Sequence, residues 1–218
     1  MSQPNVPPRL LDALGSKLPV WAAELGFQQL GVVVGDLSQY ENRLNSWLAR
    51  DFHGEMSYMA HHGTRRSRPA ELVEGTTRVI TVRMNYLRSD AILVTDNPQA
   101  YVAQYAHGRD YHKLIRQRLQ KLINRMAAFL EEHGIEAHAY RAFTDSAPVL
   151  EKPLAEQAGL GWIGKNTLLI NQHAGSWFFL GEIYTNLPLP LSNAQAQSLR
   201  LMHGLHRCLP HRRNCCTL

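Results

Sequence analysis

One acidic residue in the second half of the chain stands in a setting suited to proton transfer. Asp145 lies in the turn Thr-Asp-Ser-Ala-Pro, which follows an apolar run around Phe143. Asp and Ser before a proline favour turns and helix N-termini, so we predict a helix that begins near Pro148 and ends at Gly159. A carboxyl group presented by such a turn is a candidate general acid or base.

A glycine-rich segment, residues 159–167, follows this helix at once and reads G-L-G-W-I-G-K-N-T. Three glycines in six residues let a backbone come close to a large ligand. The segment also offers indole, ammonium and amide donors from Trp162, Lys165 and Asn166. On residue types alone, a helix flanked by two structural turns is the simpler interpretation.

The composition is typical of a globular protein with one large domain. The chain has 218 residues, of which 44% are hydrophobic, and a net charge of +5, which suits a phosphate-rich partner without identifying one. No apolar run is long enough to span a bilayer, and the polar, Pro-containing start does not resemble a signal peptide, so we expect a cytoplasmic protein. All three cysteines fall in the last eleven residues, which excludes a disulfide framework for the main body.

Alternating helical and strand-like patterns predict an α/β (α+β) fold, with a mixed sheet flanked by helices. Apolar residues at helical spacing predict helices over residues 10–25, about 39–49 and about 112–133. Runs rich in β-branched residues or alternating in polarity predict strands over residues 27–34, 77–87 and 135–141, and a short edge piece over 91–94. Residues 167–171 and 176–185 are predicted to form a hairpin through residues 172–175.

The core of the epoxyqueuosine reductase family resembles this chain in three stretches, which read D-S-A-P-V-L-E-K, A-G-L-G-W-I-G-K-N-T-L-L-I and G-S-W-F-F-L-G-E-I. Two further stretches, M-S-Y-M followed by R-P-x-x-L-V, and Y-A-H-G-R-D-Y-H-K, match as well, so the resemblance runs from roughly residue 20 to residue 190. It implies a cobalamin-dependent oxidoreductase that converts epoxyqueuosine to queuosine at the wobble position of tRNA. An external electron donor and a monomer are expected.

The resemblance also implies roles for individual residues. Asp145 matches the family's proton donor. Opening an epoxide needs electrons at carbon, which reduced cobalt can supply, and a proton at the departing oxygen. An acid serves near neutral pH only if its pKa is raised, as burial against an apolar cofactor face would do. The positions implied to contact the cofactor are Arg68, Asp110, Tyr111, Lys152, Trp162, Ile163, Gly164, Lys165 and Asn166.

The pattern of the family is lost after residue 190. The family continues into a ferredoxin-like module with a C-x₂-C-x₂-C-x₃-C-P run and four further cysteines for two 4Fe–4S clusters. This chain has only Cys208, Cys215 and Cys216, which cannot supply four thiolates to one cluster, and with the nearby histidines they fit no common zinc spacing. We hypothesise that residues 1–190 are a cobalamin-binding catalytic domain and that residues 191–218 are an aberrant or unstructured tail, produced by truncation or a frameshift.

Two other functions fit the same residues. One is a corrinoid-binding module without chemistry of its own, and the other is a flavin-dependent reductase of related architecture. Patterns typical of commoner enzyme classes, such as H-E-x-x-H, the Walker motif and G-x-G-x-x-G, do not occur in the sequence.

Overall fold

The computed structural model describes residues 4–87, 102–135, 138–145 and 147–192. Its helices are α1 (Pro8–Glu24), α2 (Glu41–Ala49), α3 (Pro69–Leu72), α4 (Tyr111–Glu131) and α5 (Glu151–Gln157). Its strands are β1 (Gln29–Val33), β2 (Arg78–Asn85), β3 (Tyr140–Phe143), β4 (Trp162–Ile163), β5 (Leu169–Ile170) and β6 (Phe178–Thr185). Short 3₁₀ turns occupy Ser38–Tyr40, Ser57–Met59, Gly63–Arg66 and Gln104–Ala106. None of the helices within these ranges is long and apolar enough to cross a membrane.

A four-stranded sheet in the order β1-β2-β6-β3 forms the centre of the fold. The predicted combination of a sheet with flanking helices is therefore confirmed. All pairings among the described strands are antiparallel, so the expectation of a mixed sheet is wrong in strand direction. A separate two-stranded sheet pairs β4 with β5.

The two faces of the central sheet bury different helices. Helices α1 and α4 cover one face, where the fully buried Leu14 and Leu119 pack with Ile80 and Ile183 of the inner strands. Helix α5 covers the other face, where Leu154 packs with Val79 of β2 and with Leu180 and Tyr184 of β6. The period-2 alternation of β2 and β6 thus supplies both layers of the core.

The long apolar patterns give the correct elements. The predictions for residues 10–25 and 112–133 correspond to α1 and α4, and those for residues 27–34 and 77–87 correspond to β1 and β2. The prediction for residues 39–49 corresponds to a 3₁₀ turn followed by α2. The predicted strand over residues 135–141 is displaced, since β3 is Tyr140–Phe143. The predicted edge piece at residues 91–94 lies outside the described residues.

Two predictions around the glycine-rich segment need correction. The helix expected near Pro148 begins at Glu151, because a start at Pro148 would place Pro153 in the helix interior, where its ring clashes with the carbonyl four residues earlier. The expected hairpin is reduced to a bridge between Asn171 and Gly175. Strand β5 pairs with β4 instead, and residues 164–168 connect these two strands.

Candidate active site

Asp145 lies immediately after β3, where the chain leaves the central sheet. Its φ of +49° is in the left-handed region, which Asp tolerates better than most side chains with a Cβ. The backbone N–H of Asp145 donates a hydrogen bond to Glu151 Oε1 at 2.5 Å. The backbone of the turn is therefore tied by one hydrogen bond to the first residue of α5.

The start of α4 contacts one oxygen of this carboxyl group. The Tyr111 hydroxyl donates a hydrogen bond to Asp145 Oδ2, and His112 Nε2 lies 3.3 Å from the same atom. Asp110 caps the helix, since its Oδ1 accepts the backbone N–H of His112 at 2.9 Å and lies 3.0 Å from His112 Nδ1. The Tyr111 ring stacks on Phe179 of β6, with centroids 3.8 Å apart. Cap and stack together orient the Tyr111 hydroxyl and the His112 ring towards Asp145.

An open cleft of about 250 Å³ surrounds Asp145. Its rim includes Tyr105 and Leu168, which are 54% and 46% exposed. The Asp145 side chain is itself 41% exposed, so the protein alone does not shield it from water. The lining residues are Tyr86, Tyr105, Tyr111, Asp145, Glu151, Lys152, Leu168, Leu169, Ser176, Phe178, Phe179 and Leu180.

Two further carboxyl groups, which the sequence analysis missed, lie beside Asp145. Burial and the charge of Asp145 raise the pKa of Glu151 to about 8. Glu182 on β6 is fully buried, and neither of its oxygens has a hydrogen-bond partner within the described part of the chain. Burial, with the charges of Glu151 and Asp145, raises the pKa of Glu182 well above its usual range. The sequence of β6 could have indicated the burial of Glu182, because alternation along the strand places it on the same buried face as Leu180 and Tyr184.

Tyr111 remains a hydrogen-bond donor over the physiological range. Desolvation raises the pKa of its phenol above the ordinary value, and the hydrogen bond to Asp145 and the charge of that carboxylate raise the pKa further. A neutral phenol can donate to Asp145 Oδ2, whereas a phenolate could not.

The other residues expected to bind a cofactor are distributed around the fold. Lys152 lines the Asp145 cleft, and its Nζ donates to the Thr167 carbonyl oxygen at 2.7 Å. Arg68 does not line this cleft. It forms salt bridges with Glu41 (2.8 Å) and Glu71 (3.2 Å) beside a separate cleft of about 440 Å³.

The glycine-rich segment, residues 159–167, does not line the Asp145 cleft. Trp162 and Ile163 form β4, and Gly164, Lys165 and Asn166 form the turn that leads to β5. None of these five residues lines the cleft, whereas Leu168 and Leu169, which follow them, do. The structure therefore brings together Tyr111, Asp145 and Lys152 among the expected site residues, with Asp110 adjacent.

The glycines of this segment are required by packing within the segment itself. A Cβ on Gly161 would overlap the Ile170 backbone carbonyl, and a Cβ on Gly164 would lie 2.6 Å from Ile170 Cδ1. Close approach of a ligand is therefore not needed to explain these two glycines.

We expect Gly161→Ala to destabilise the chain by roughly 1–3 kcal/mol, because the added methyl group meets backbone that cannot move freely. Gly164→Ala is the matched control, and its loss should be smaller, because the Ile170 side chain can rotate away. Urea unfolding of both variants measures the difference. Equal losses would contradict the assignment of the clash to the backbone.

Within the described residues there is no group of three or more His, Cys, Asp or Glu side chains suited to hold a metal ion. Cys208, Cys215 and Cys216 lie outside the described residues.

Comparison with known proteins finds similar sequences among the epoxyqueuosine reductases. A family model described as "Epoxyqueuosine reductase QueG, DUF1730" matches residues 66–146. An epoxyqueuosine reductase of Pseudomonas aeruginosa is 53% identical over 193 residues, which are 87% of this chain and 52% of that protein. An epoxyqueuosine reductase of Escherichia coli is 51% identical over 184 residues, 83% of this chain and 47% of that protein. The chain spans about half the length of the curated relatives it matches.

A solved structure has the same fold over most of this chain. The crystal structure of an epoxyqueuosine reductase with an epoxyqueuosine-modified stem loop of tRNA-Tyr gives a TM-score of 0.69 at 20% identity. The match covers 83% of this chain and 47% of that one. At this identity, the likeness shows the shared architecture alone.

Proposed function

We propose, from the chain's homology to the epoxyqueuosine reductases over about half of their length, that it carries the proton-donating site of such an enzyme. Residues 1–190 are proposed as the cobalamin-binding catalytic domain, and the reaction as reduction of epoxyqueuosine to queuosine at the wobble position of tRNA. One observation carries the proposal: the Asp145 carboxyl group opens into a cleft lined by both aromatic and charged side chains, while Tyr111 and His112 contact its Oδ2.

The mouth of the cleft offers apolar contacts to a large ligand. The cleft volume of about 250 Å³ lies below the range for an enclosed small-molecule site, roughly 300–1,000 Å³, so residues at the cleft mouth would have to help hold a group as large as a corrin. Exposed Tyr105 and Leu168 offer apolar contact at that mouth, and Trp177 is 39% exposed close by, with its ring 6.0 Å from that of the cleft residue Tyr86. A ligand in this place would remove water from Asp145.

The residues of this chain position and deliver a proton. Bound cobalamin would supply the electrons that open the epoxide. Tyr111 and His112 both engage Oδ2 of Asp145, so we assign proton transfer to Oδ1. Exclusion of water by the bound cofactor would strengthen each of these contacts, because the local dielectric falls.

We propose tRNA carrying epoxyqueuosine as the partner of this site, with an external electron donor and a monomeric protein. The relative solved with an epoxyqueuosine-modified stem loop supports the choice of tRNA. The net charge of +5 favours a phosphate-rich partner.

The test is reconstitution of the purified chain with cobalamin, followed by absorption spectroscopy. A changed corrin spectrum is expected. Addition of a chemical reductant and an epoxyqueuosine-containing stem loop should then yield queuosine, detected by mass spectrometry. Cobalamin binding without conversion would favour the corrinoid-binding module. A flavin that co-purifies with the chain, seen in its absorption spectrum, would favour the flavin-dependent reductase.

We expect Tyr111→Phe to slow epoxide reduction roughly tenfold, because it removes one charge-assisted hydrogen bond but keeps the ring stacked on Phe179. Single-turnover conversion of the stem loop measures the rate. Tyr58→Phe, at an exposed position outside the cleft, should leave the rate unchanged. A wild-type rate for Tyr111→Phe would show that the phenol does not orient Asp145.

A further inference from the structure

Three carboxyl groups converge where β3, β6 and α5 meet. Asp145 follows β3, and Glu151 begins α5 and ties the Asp145 turn through its Oε1, 2.5 Å from the Asp145 backbone nitrogen. Glu182 on β6 is paired with Phe143 of β3, and Phe143 precedes Asp145 by two residues. The side chains of Asp145 and Glu151 line the same cleft, and the negative charge of Asp145 acts on the Glu151 carboxyl group.

Ionisation of all three groups together is unfavourable in this place. Charge repulsion between carboxylates grows as water is removed, and two carboxyl groups that share a site retain a proton between them. Lys152 is a cation that acts on Glu151, but it donates its hydrogen bond to the Thr167 carbonyl. Glu182 has no hydrogen-bond donor in the described part of the chain to stabilise a negative charge.

We propose that Glu151 is a positioning residue that shares one proton with Asp145 and passes this proton to Asp145 when Asp145 protonates the departing oxygen of the substrate. Oε1 of Glu151 accepts the Asp145 N–H, so we assign the shared proton to Oε2. In the step, the Glu151 O–H bond breaks, an O–H bond forms on Asp145, and Asp145 then gives this same proton to the substrate oxygen, which leaves both carboxyl groups ionised. One proton leaves the pair in total, and water returns it afterwards. The catalytic part of this inference rests on the proposed function.

The surroundings of Glu151 favour the protonated form. Burial is the largest cause of its raised pKa of about 8, and the Asp145 charge is the next. At neutral pH the shared proton is therefore present. The titratable and charged groups that face Glu151 are Asp145 from the turn after β3, Glu182 and Tyr184 from β6, Tyr111 from α4, and Lys152 from α5 itself.

The pair can be tested without any activity. Carbon-13 NMR of the full chain, labelled at the glutamate and aspartate carboxyl carbons, follows each group through a pH titration. We expect one glutamate to titrate near pH 8 and its signal to vanish in Glu151→Gln. In Asp145→Asn, the midpoint of this glutamate should fall by about 1 unit or more, because a neighbouring charge is gone. Glu132→Gln, at an exposed site beyond α4, should leave the midpoint unchanged.

Either of two results would overturn the pair: no glutamate that titrates near pH 8, or a midpoint that Asp145→Asn does not move. If Glu151→Gln fails to fold, Asp145→Asn still decides, because the labelled glutamate is then the native one. These results do not depend on cobalamin or tRNA, so a failure of the proposed function leaves them intact.

The catalytic role needs a second measurement on the reconstituted chain. In Glu151→Gln, we expect epoxide reduction at pH 7 to fall roughly tenfold or more and the alkaline decline of the rate to move to lower pH. A purely structural residue would lower the rate without moving that decline. An unmoved decline would therefore refute proton sharing in catalysis even if the NMR titration supports the pair.

Discussion

Asp145→Asn should lower the rate of epoxide reduction by roughly 10²–10⁴-fold, the usual contribution of a positioned general acid. Asn has nearly the shape of Asp and also tolerates the left-handed backbone at this position, so the turn should persist. An amide cannot deliver the proton. Single-turnover conversion of an epoxyqueuosine stem loop, with excess chemical reductant and saturating cobalamin, measures the loss.

Asp51→Asn is the matched control for this experiment. Asp51 is exposed and has a φ of +53°, close to the +49° of Asp145, so the same exchange is made in the same backbone conformation. Its rate should equal that of the wild type. Cobalamin affinity should be unchanged in both variants. A fall of less than about tenfold for Asp145→Asn would remove Asp145 from the role of proton donor.

The unfolding free energy of the chain should decrease as pH rises from about 4.5 to about 8. The pKa of Glu151 is higher in the folded state than its usual 4.5, so the folded state binds more protons between these values. The stability is fully present below pH 4.5 and is lost as pH rises through the folded pKa. At 1.36 kcal/mol per unit, Glu151 gives an upper limit of about 5 kcal/mol. Glu182 adds a loss of the same sign, because burial also raises its pKa in the folded state.

Glu182→Gln should make this decrease shallower, because the amide has a similar shape and stays neutral at every pH. Urea unfolding from pH 5 to pH 9 compares the slopes of the wild type and the variant. The slope is the useful quantity, since a buried amide without partners also costs about 1–3 kcal/mol at all pH values. Glu132→Gln, with an exposed side chain, is the control. A Glu182→Gln slope identical to that of the wild type would mean that Glu182 does not titrate in the folded chain.

The elements that the sequence predicted well are those whose evidence is local. The apolar residues Ile115, Leu119, Leu122 and Met126 are fully buried on α4. Apolar residues at helical spacing form one face of a helix, so the pattern predicts the helix whichever element packs on that face. Asp110 caps the same helix, and such a cap can be read from the sequence because capping depends only on the next two or three residues. These patterns do not require knowledge of which strands are neighbours.

The missed part of the site depends on strand register. Glu182 is 37 residues from Asp145 along the chain (182 − 145), and only the pairing of β6 with β3 brings the two together. Gly164 was expected to contact a ligand, because the sequence does not reveal that Ile170 returns to pack against it. The start of α5 could have been placed correctly from Pro153 alone, since proline is accepted in the first turn of a helix.

The contact at Gly181 determines which half of the site can move. A Cβ there would lie 2.9 Å from Ile115 Cγ2, so helix α4 lies almost directly on the backbone of β6. Tyr111 and His112 are thereby anchored to the rigid centre of the molecule, whereas Asp145 is held by a short turn. Adjustment of the proton donor to different substrates should therefore come from the turn, and crystals with different ligands should superpose at α4 while differing at residue 145.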